Sequence, residues 1–180
     1  MNAFVPLTVK SVSDVVGAGD VSIVTLENTD TTLCLHIVCS KDVAHTISES
    51  LHPDSQPLPQ LAQLLTDILR NEAHCSLQVV IDDLQDGCYT TRVVSQPSGN
   101  SYPIAVASGI LLSVAAHLPL LVTRTLLSLA GTTDSDSNRL RLPITSLTVN
   151  MLQLKLQESI DCEDYEQASV IRDELLRRKQ

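Results

Sequence analysis

Between residues 152 and 175 the apolar side chains fall on two helical stripes separated by a short polar break, and few other arrangements satisfy that pattern. Leu152, Leu156 and Ile160 lie four apart, which gives one apolar stripe on a helix ending near Asp161. After Asp161-Cys162-Glu163-Asp164, the residues Tyr165, Ala168, Ile171 and Leu175 repeat at three and four and make a second amphipathic helix. Asp161 or Asp164 suits its N-cap, and acidic residues there complement the helix dipole. Asp173–Arg177 and Glu174–Arg178 are i,i+4 pairs in the favourable orientation, each worth ~0.2–0.5 kcal/mol if exposed. A hairpin of this length needs cover. Its few large apolar side chains give ~1.5–3 kcal/mol each on burial, against ~1–2 kcal/mol per residue for ordering the backbone. An outside surface is expected, from the rest of the chain, a second copy or another protein.

Upstream the periodicity shortens. Phe4 to Val16 alternates through Val5, Leu7 and Val9 and reads as a strand, with a turn at Gly17-Ala18-Gly19-Asp20. Val21–Leu26 and Thr32–Val38 are further strands, and Asn28-Thr29-Asp30 between them marks a hairpin. Asp42–Leu51 reads as a short helix with Val43, Ile47 and Leu51 at spacing four. Beyond a linker holding Pro53, Pro57 and Pro59, the residues Leu61, Leu64, Leu65, Ile68 and Leu69 form a helical stripe. Leu77–Leu84 and Tyr89–Val94 pair across Asp86-Gly87, a favoured hairpin turn because Gly tolerates positive φ. Ser98-Gly99-Asn100 is another turn; Gly109–Ala116 is helical, Leu120–Thr123 a short strand and Arg124–Ala130 a short helix. The fold class expected is mixed α/β (α+β), with a largely antiparallel sheet, packed helices and a C-terminal two-helix hairpin. Gly131–Asn138 is small and polar, so the expected organisation is a domain over 1–130, a linker over 131–143 and the hairpin over 144–180.

Charge and composition narrow the function classes. The net charge is −9, and no segment is basic: residues 1–130 carry 5 basic and 12 acidic side chains, and residues 144–180 carry 5 and 7. That balance disfavours a general nucleic-acid binder. Aromatics are 2% of the chain, so base-stacking platforms are scarce. The apolar stretch Ile104–Val122 is broken by Ser108, Gly109, Ser113, His117 and Pro119, which argues against a membrane span. Five scattered cysteines and no secretory-type N-terminus point to a cytoplasmic protein with reduced thiols. An aromatic-poor domain with strand edges is expected to form a homo-oligomer.

Three polar clusters merit chemical consideration. Asp82, Asp83 and Asp86 are the acidic candidates for a metal site, although Asp82 and Asp83 on one strand point to opposite faces and Asp86 is explained by its turn. Cys34-x-His36-x-x-Cys39 invites zinc, but Cys39 points away from the other two and no fourth ligand is near, so a structural role is expected. His74-Cys75 lacks an acidic or amide third member for nucleophilic catalysis. His117, before Leu118-Pro119, suits a helix C-terminus. His45 and His52 carry no signal.

Glu163-Asp164-Tyr165-Glu166-Gln167-Ala168 followed by Ile171-Arg172-Asp173-Glu174-Leu175 resembles the UVR motif, the helical hairpin through which the excision-repair proteins UvrB and UvrC associate and which recurs in Clp-system regulators. The resemblance implies docking onto another protein through Leu152, Leu156, Ile160, Tyr165, Ala168, Ile171, Arg172 and Leu175. Val79–Arg92 in turn resembles the bifunctional nuclease family, also known as domain of unknown function 151, in which a UVR tail is a common companion. Leu33-Cys34-Leu35-His36-Ile37-Val38 falls where that family has Leu-Pro-Ile-Trp-Ile-Gly, with His36 in place of Trp. Gln56–Leu61 falls where Arg-Pro-Leu-Thr-His-Asp is usual, and Pro103–Gly109 where Asp-Ala-Arg-Pro-Ser-Asp-Ala is usual, without its carboxylates and Arg. The resemblance implies a hydrolase cutting DNA and RNA with Mg²⁺ or Mn²⁺. The missing polar residues favour the alternative, a catalytically silent relative that acts as an adapter through its tail.

Overall fold

The computed structural model describes residues 4–15, 20–52, 61–133, 144 and 147–178, without the side chains of 61–63 and 72. The expected Gly17 turn, the proline linker and residues 134–143 of the expected interdomain linker lie outside the described residues.

By internal contacts the chain divides into two compact units, one of Met1–Asp83 with Tyr89–Ser135, the other of Leu84–Cys88 with Asp136–Gln180. The strands are β1 (Phe4–Asp14), β2 (Val21–Glu27), β3 (Leu33–Ser40), β4 (Ser76–Gln85), β5 (Cys88–Gln96), β6 (Ser101–Ile104), β7 (Leu120–Thr123) and β8 (Thr132–Thr133). The helices are α1 (Lys41–Ser50), α2 (Leu61–Glu72), α3 (Val106–Ala115), α4 (Arg124–Ala130), α5 (Val149–Asp161) and α6 (Tyr165–Arg177). The fold is the mixed α/β class expected, with the C-terminal helical hairpin formed by α5 and α6.

One eight-stranded sheet runs in the order β6-β5-β4-β7-β1-β2-β3-β8. Its registers are antiparallel except at β4–β7, where Val79, Val80 and Ile81 run parallel to Leu120, Leu121 and Val122. β1 serves two neighbours in turn. Phe4–Leu7 pair with β7 and Thr8–Asp14 with β2, and the register slips between Val9 and Ser11, a bulge that bends the strand. Pro6, which has no N–H, sits where only β7 is paired to β1. The sheet curls enough for the Tyr89 hydroxyl on β5 to reach the carbonyl of His36 on β3 at 3.4 Å.

Local chemistry explains the turns. Asn28 is fully buried, and its side-chain oxygen accepts from the Asp30 and Thr31 amides and the Thr31 hydroxyl at 2.8–3.1 Å. Its amide donates to the Pro6 carbonyl at 2.8 Å, tying the β2–β3 turn to β1. At the β4–β5 turn Asp86 (φ 52°) and Gly87 (φ 79°) both take positive φ, as the sequence predicts.

α3 is apolar on nearly every side, and it buries Gly109, Ile110, Ser113 and Ala115 while Ser108 is its exposed residue. It comes close because of Gly109, where a Cβ would lie 3.1 Å from Val79 on β4 and 3.2 Å from Thr91 on β5. The core is aliphatic, as the scarcity of aromatics requires: Val24, Leu26, Leu35, Ile37, Ile47, Ile81, Ile110 and Val122 are all essentially inaccessible.

Two short edge strands complete the sheet. Ser101–Ile104, beyond the turn at Ser98-Gly99-Asn100, pairs with β5 as the edge strand β6. Thr132 and Thr133, linker-like by composition, form β8 against Leu33 and Cys34. Such short edges depend on a neighbouring strand's free backbone groups and leave no periodic signature of their own.

Candidate functional site

The best-kept stretch of sequence, Val79–Arg92, is the β4–β5 hairpin. Val79, Val80 and Ile81 are buried, after which the strand alternates between half-buried Asp82 and exposed Asp83. Arg92 grips Asp82 in a two-pronged bond, with Nε 2.6 Å and Nη2 3.0 Å from the two carboxylate oxygens. This pairing raises the Arg92 pKa. The Asp82 carbonyl accepts from the Thr123 hydroxyl at 2.7 Å, and the same hydroxyl caps α4 by accepting from the Leu126 amide. Asp82 is therefore a junction between β4, β5 and the start of α4. Sequence reading missed Arg92, although opposite charges on the two arms of one hairpin were the available signal.

The cysteine and histidine positions are also structural. The Thr25 hydroxyl lies 3.1 Å from His36 Nδ1 and the Thr132 hydroxyl 2.9 Å from Nε2, so both ring nitrogens are engaged. Cys34 is buried, and burial raises the pKa of the Cys39 thiol. Cys75 Sγ lies 2.9 Å from the Ser95 hydroxyl. His74 and His117 both have φ near 50°, and His117 follows the C-cap of α3. Among the described residues, no three His, Cys, Asp or Glu side chains gather where they could hold a metal ion.

In the second unit the hairpin closes on its own chain. Thr148 caps α5 by accepting from the Met151 amide, and Asp164 caps α6 by accepting from the Gln167 amide at 3.1 Å. Leu147, Leu152, Ile171 and Leu175 form the core, flanked by Ile144, Met151 and Leu156. Ala168 is buried beside them, but Ile160 (44% exposed) and Tyr165 (67%) are not in the seam. Helix geometry explains the correction. A strict four-residue repeat drifts by about 40° per step, so Ile160 has swung away by the third position, whereas Ser159 stays aligned and is buried. Tyr165, six residues before Ile171, lies about 120° from it.

Charge pairs hold the seam's edge. Glu174 takes both Arg177 and Arg178 at 2.8 Å, while Asp173 turns to Arg172 and not to Arg177. Arg172 points outward, where it also donates to Ser169. Arg178 is inside, its side chain 1% exposed, and its guanidinium donates to the carbonyls of Leu147 and Ile144 as well as to Glu174. Ile144 and Leu147 are thereby tied to the end of α6. These arginines hold the Glu174 pKa down at about 2. Within the same unit a Cβ at Gly87 would collide with the Leu147 carbonyl, and Asp86 lies 3.7 Å from Arg177.

A sequence model of the bifunctional nuclease domain matches residues 24–135. The chain belongs to the bifunctional nuclease domain family. No curated protein matches it. The match runs from within β2 through β8 and stops before α5 and α6, so family membership describes the sheet unit. Within this nuclease-family domain the described carboxylates do not fit a divalent metal. Asp82 gives both oxygens to Arg92, and Asp83 is exposed where the strand alternates away from it. The segment 103–109, where the resemblance expects carboxylates, instead supplies the end of β6 and the close packing of Gly109. The domain also carries a hollow of about 270 Å³ whose lining includes Val5, Leu33 and Leu127, with Asn28 and Arg124. The Asn28 side chain there is already occupied by its turn. No helix among the described residues is long and apolar enough to cross a membrane.

Proposed function

We propose that this family member has lost effective phosphodiester chemistry and acts as an adapter, with the sheet unit as scaffold and the α5–α6 hairpin as the element that docks another protein. The observation that carries the reading is the Arg92 clamp on Asp82, which leaves the best-kept motif without a free half-buried carboxylate. The net charge of −9 supports it, since a polyanionic substrate would be repelled. The UVR-like spacing of Glu163–Ala168 and Ile171–Leu175 supports the docking role. Because Leu152, Ala168, Ile171 and Leu175 are sealed inside, docking falls to the outward residues Ile160, Tyr165, Arg172 and Leu176.

The test is cleavage of single-stranded DNA and RNA with Mg²⁺ or Mn²⁺. The expected rate is no higher than that of Asp82→Asn. Robust metal-dependent cleavage abolished by Asp82→Ala or Asp83→Ala would overturn the adapter reading. It would favour the second one, a metal-dependent nuclease acting on DNA and RNA, for which the family match over residues 24–135 speaks.

A further inference from the structure

The 270 Å³ hollow of the sheet unit has an apolar floor and two charges at its edge. Val5 on β1, Leu33 on β3 and Leu127 on α4 supply the floor, and Val5 and Leu127 are buried parts of the core. Asp30, in the β2–β3 turn, and Arg124, the first residue of α4, line the same hollow and are both exposed. Among the described residues neither of these side chains has an ion-pair or hydrogen-bond partner. Other arginines of the chain are paired: Arg92 with Asp82, Arg172 with Asp173, and Arg177 and Arg178 with Glu174. The remaining polar groups around the hollow are committed. The Asn28 oxygen accepts from the Asp30 and Thr31 amides, the Thr31 hydroxyl donates to it, and the Ser128 hydroxyl donates to the Thr125 carbonyl at 2.8 Å.

We propose that this hollow binds a free α-amino acid with an aliphatic side chain. The carboxylate goes to Arg124, the ammonium to Asp30 and the side chain onto Val5, Leu33 and Leu127. One unspent anion beside one unspent cation selects the class of ligand. A simple carboxylate would meet Arg124 but be repelled by Asp30, and a simple amine would find the reverse. A zwitterion satisfies both, and a guanidinium can hold a carboxylate through two parallel bonds. Asp30 and Arg124 are not paired with each other, which leaves space between them for a group that meets both. Size narrows the choice. At ~30 Å³ for each water of liquid volume, the 270 Å³ takes about nine non-hydrogen atoms, the number in leucine or isoleucine. A polar side chain would lose its hydration against this floor and gain no partner. With both charges exposed and the ligand small, the dissociation constant falls at roughly 0.1–1 mM. Bound there, the amino acid bridges the β2–β3 turn and α4.

Titration of the full isotope-labelled chain with L-leucine to about 10 mM, followed by two-dimensional NMR, covers that range. The expected result is a saturable shift of the Val5, Leu33 and Leu127 amides. Isocaproate and isoamylamine keep the apolar group and lose one charge each, so both should bind at least about tenfold more weakly than leucine. Arg124→Gln and Asp30→Asn should each weaken leucine at least about tenfold. Circular dichroism and the urea midpoint should stay unchanged in both variants, because both side chains are exposed. Shifts that do not saturate by about 10 mM overturn the proposal. So does leucine binding indifferent to either substitution, which would place it elsewhere. Analogues that bind as well as leucine overturn it too, since the hollow would then select only for an apolar group.

Discussion

Helices α2 and α6 are both amphipathic, and they dispose of their apolar sides in opposite ways. α6 buries Ala168, Ile171 and Leu175 among Leu147, Leu152 and Met151, and fastens its end with the inaccessible Arg178. α2 buries Thr66 and leaves Leu64, Leu65, Ile68 and Leu69 half exposed. Amphipathicity alone therefore does not say which way a helix faces. What differs is the cover within reach. The chain just before α5 supplies Ile144 and Leu147 as a lid for α5 and α6. The described residues provide no such lid for the outer side of α2.

The sharpest way to break this comparison is to truncate one residue on each helix. Ile171→Ala, at a fully buried site, is expected to cost the hairpin ~2–5 kcal/mol and to abolish amide protection across α5 and α6 in hydrogen exchange. Leu65→Ala, measured at a dilution where any dimer is dissociated, should change stability by no more than ~0.5 kcal/mol. Equal losses at the two sites would mean that α2 has cover after all.

Arg178→Met comes next. It keeps most of the buried stem but leaves the Ile144 and Leu147 carbonyls without their donor and Glu174 without one of its arginines. A loss of ~2–4 kcal/mol is expected, read as faster exchange of the amides at 147–152. Unchanged exchange there would show that Ile144 and Leu147 are held by their apolar contacts alone.

A smaller effect concerns pH. The Glu174 pKa falls in the folded state from its ordinary 4.5 to about 2, with the hydrogen bond from Arg177 the largest cause and that from Arg178 also contributing. A carboxylate with a depressed folded pKa stabilises above its unfolded pKa and loses that contribution as pH falls through the folded value. Urea midpoints of the hairpin should therefore be flat above about pH 5 and decline between about 4.5 and 2. Glu174→Gln should flatten the decline. On α2 the Asp67–Arg70 pair is looser, 3.9 Å apart and half exposed.

The smallest effect is at Tyr165. Since it points outward on α6, as the stripe residues do on α2, Tyr165→Ala should alter hairpin stability by no more than ~0.5 kcal/mol. A larger loss in urea titration would put Tyr165 back in the seam.

Much of the candidate site could be read in advance, and the rest failed for definite reasons. Asp86-Gly87 announced its turn because positive φ is a local demand that few residues meet. The opposed faces of Asp82 and Asp83 followed from the two-residue period of a strand. The Arg92 clamp, the bonding of His36 by Thr25 and Thr132, and the burial of Arg178 join residues 10, 11, 96 and up to 34 positions apart. No local spacing encodes such pairings. Ile160 and Tyr165 were misassigned because a repeat of three and four only approximates a helix whose true period is about 3.6.

By itself the sequence determined the order and kind of the main elements, the polar turns, the helical hairpin and the family of the sheet unit, because each is set by residue type at short range or by a long run of matched positions. Only the tertiary structure decided which way each apolar stripe faces, that the β4–β5 turn belongs to the same compact unit as the tail, and that Asp82 is spent on Arg92. Those outcomes depend on which distant surfaces arrive to cover a stripe or satisfy a charge, and burial energy is blind to sequence separation.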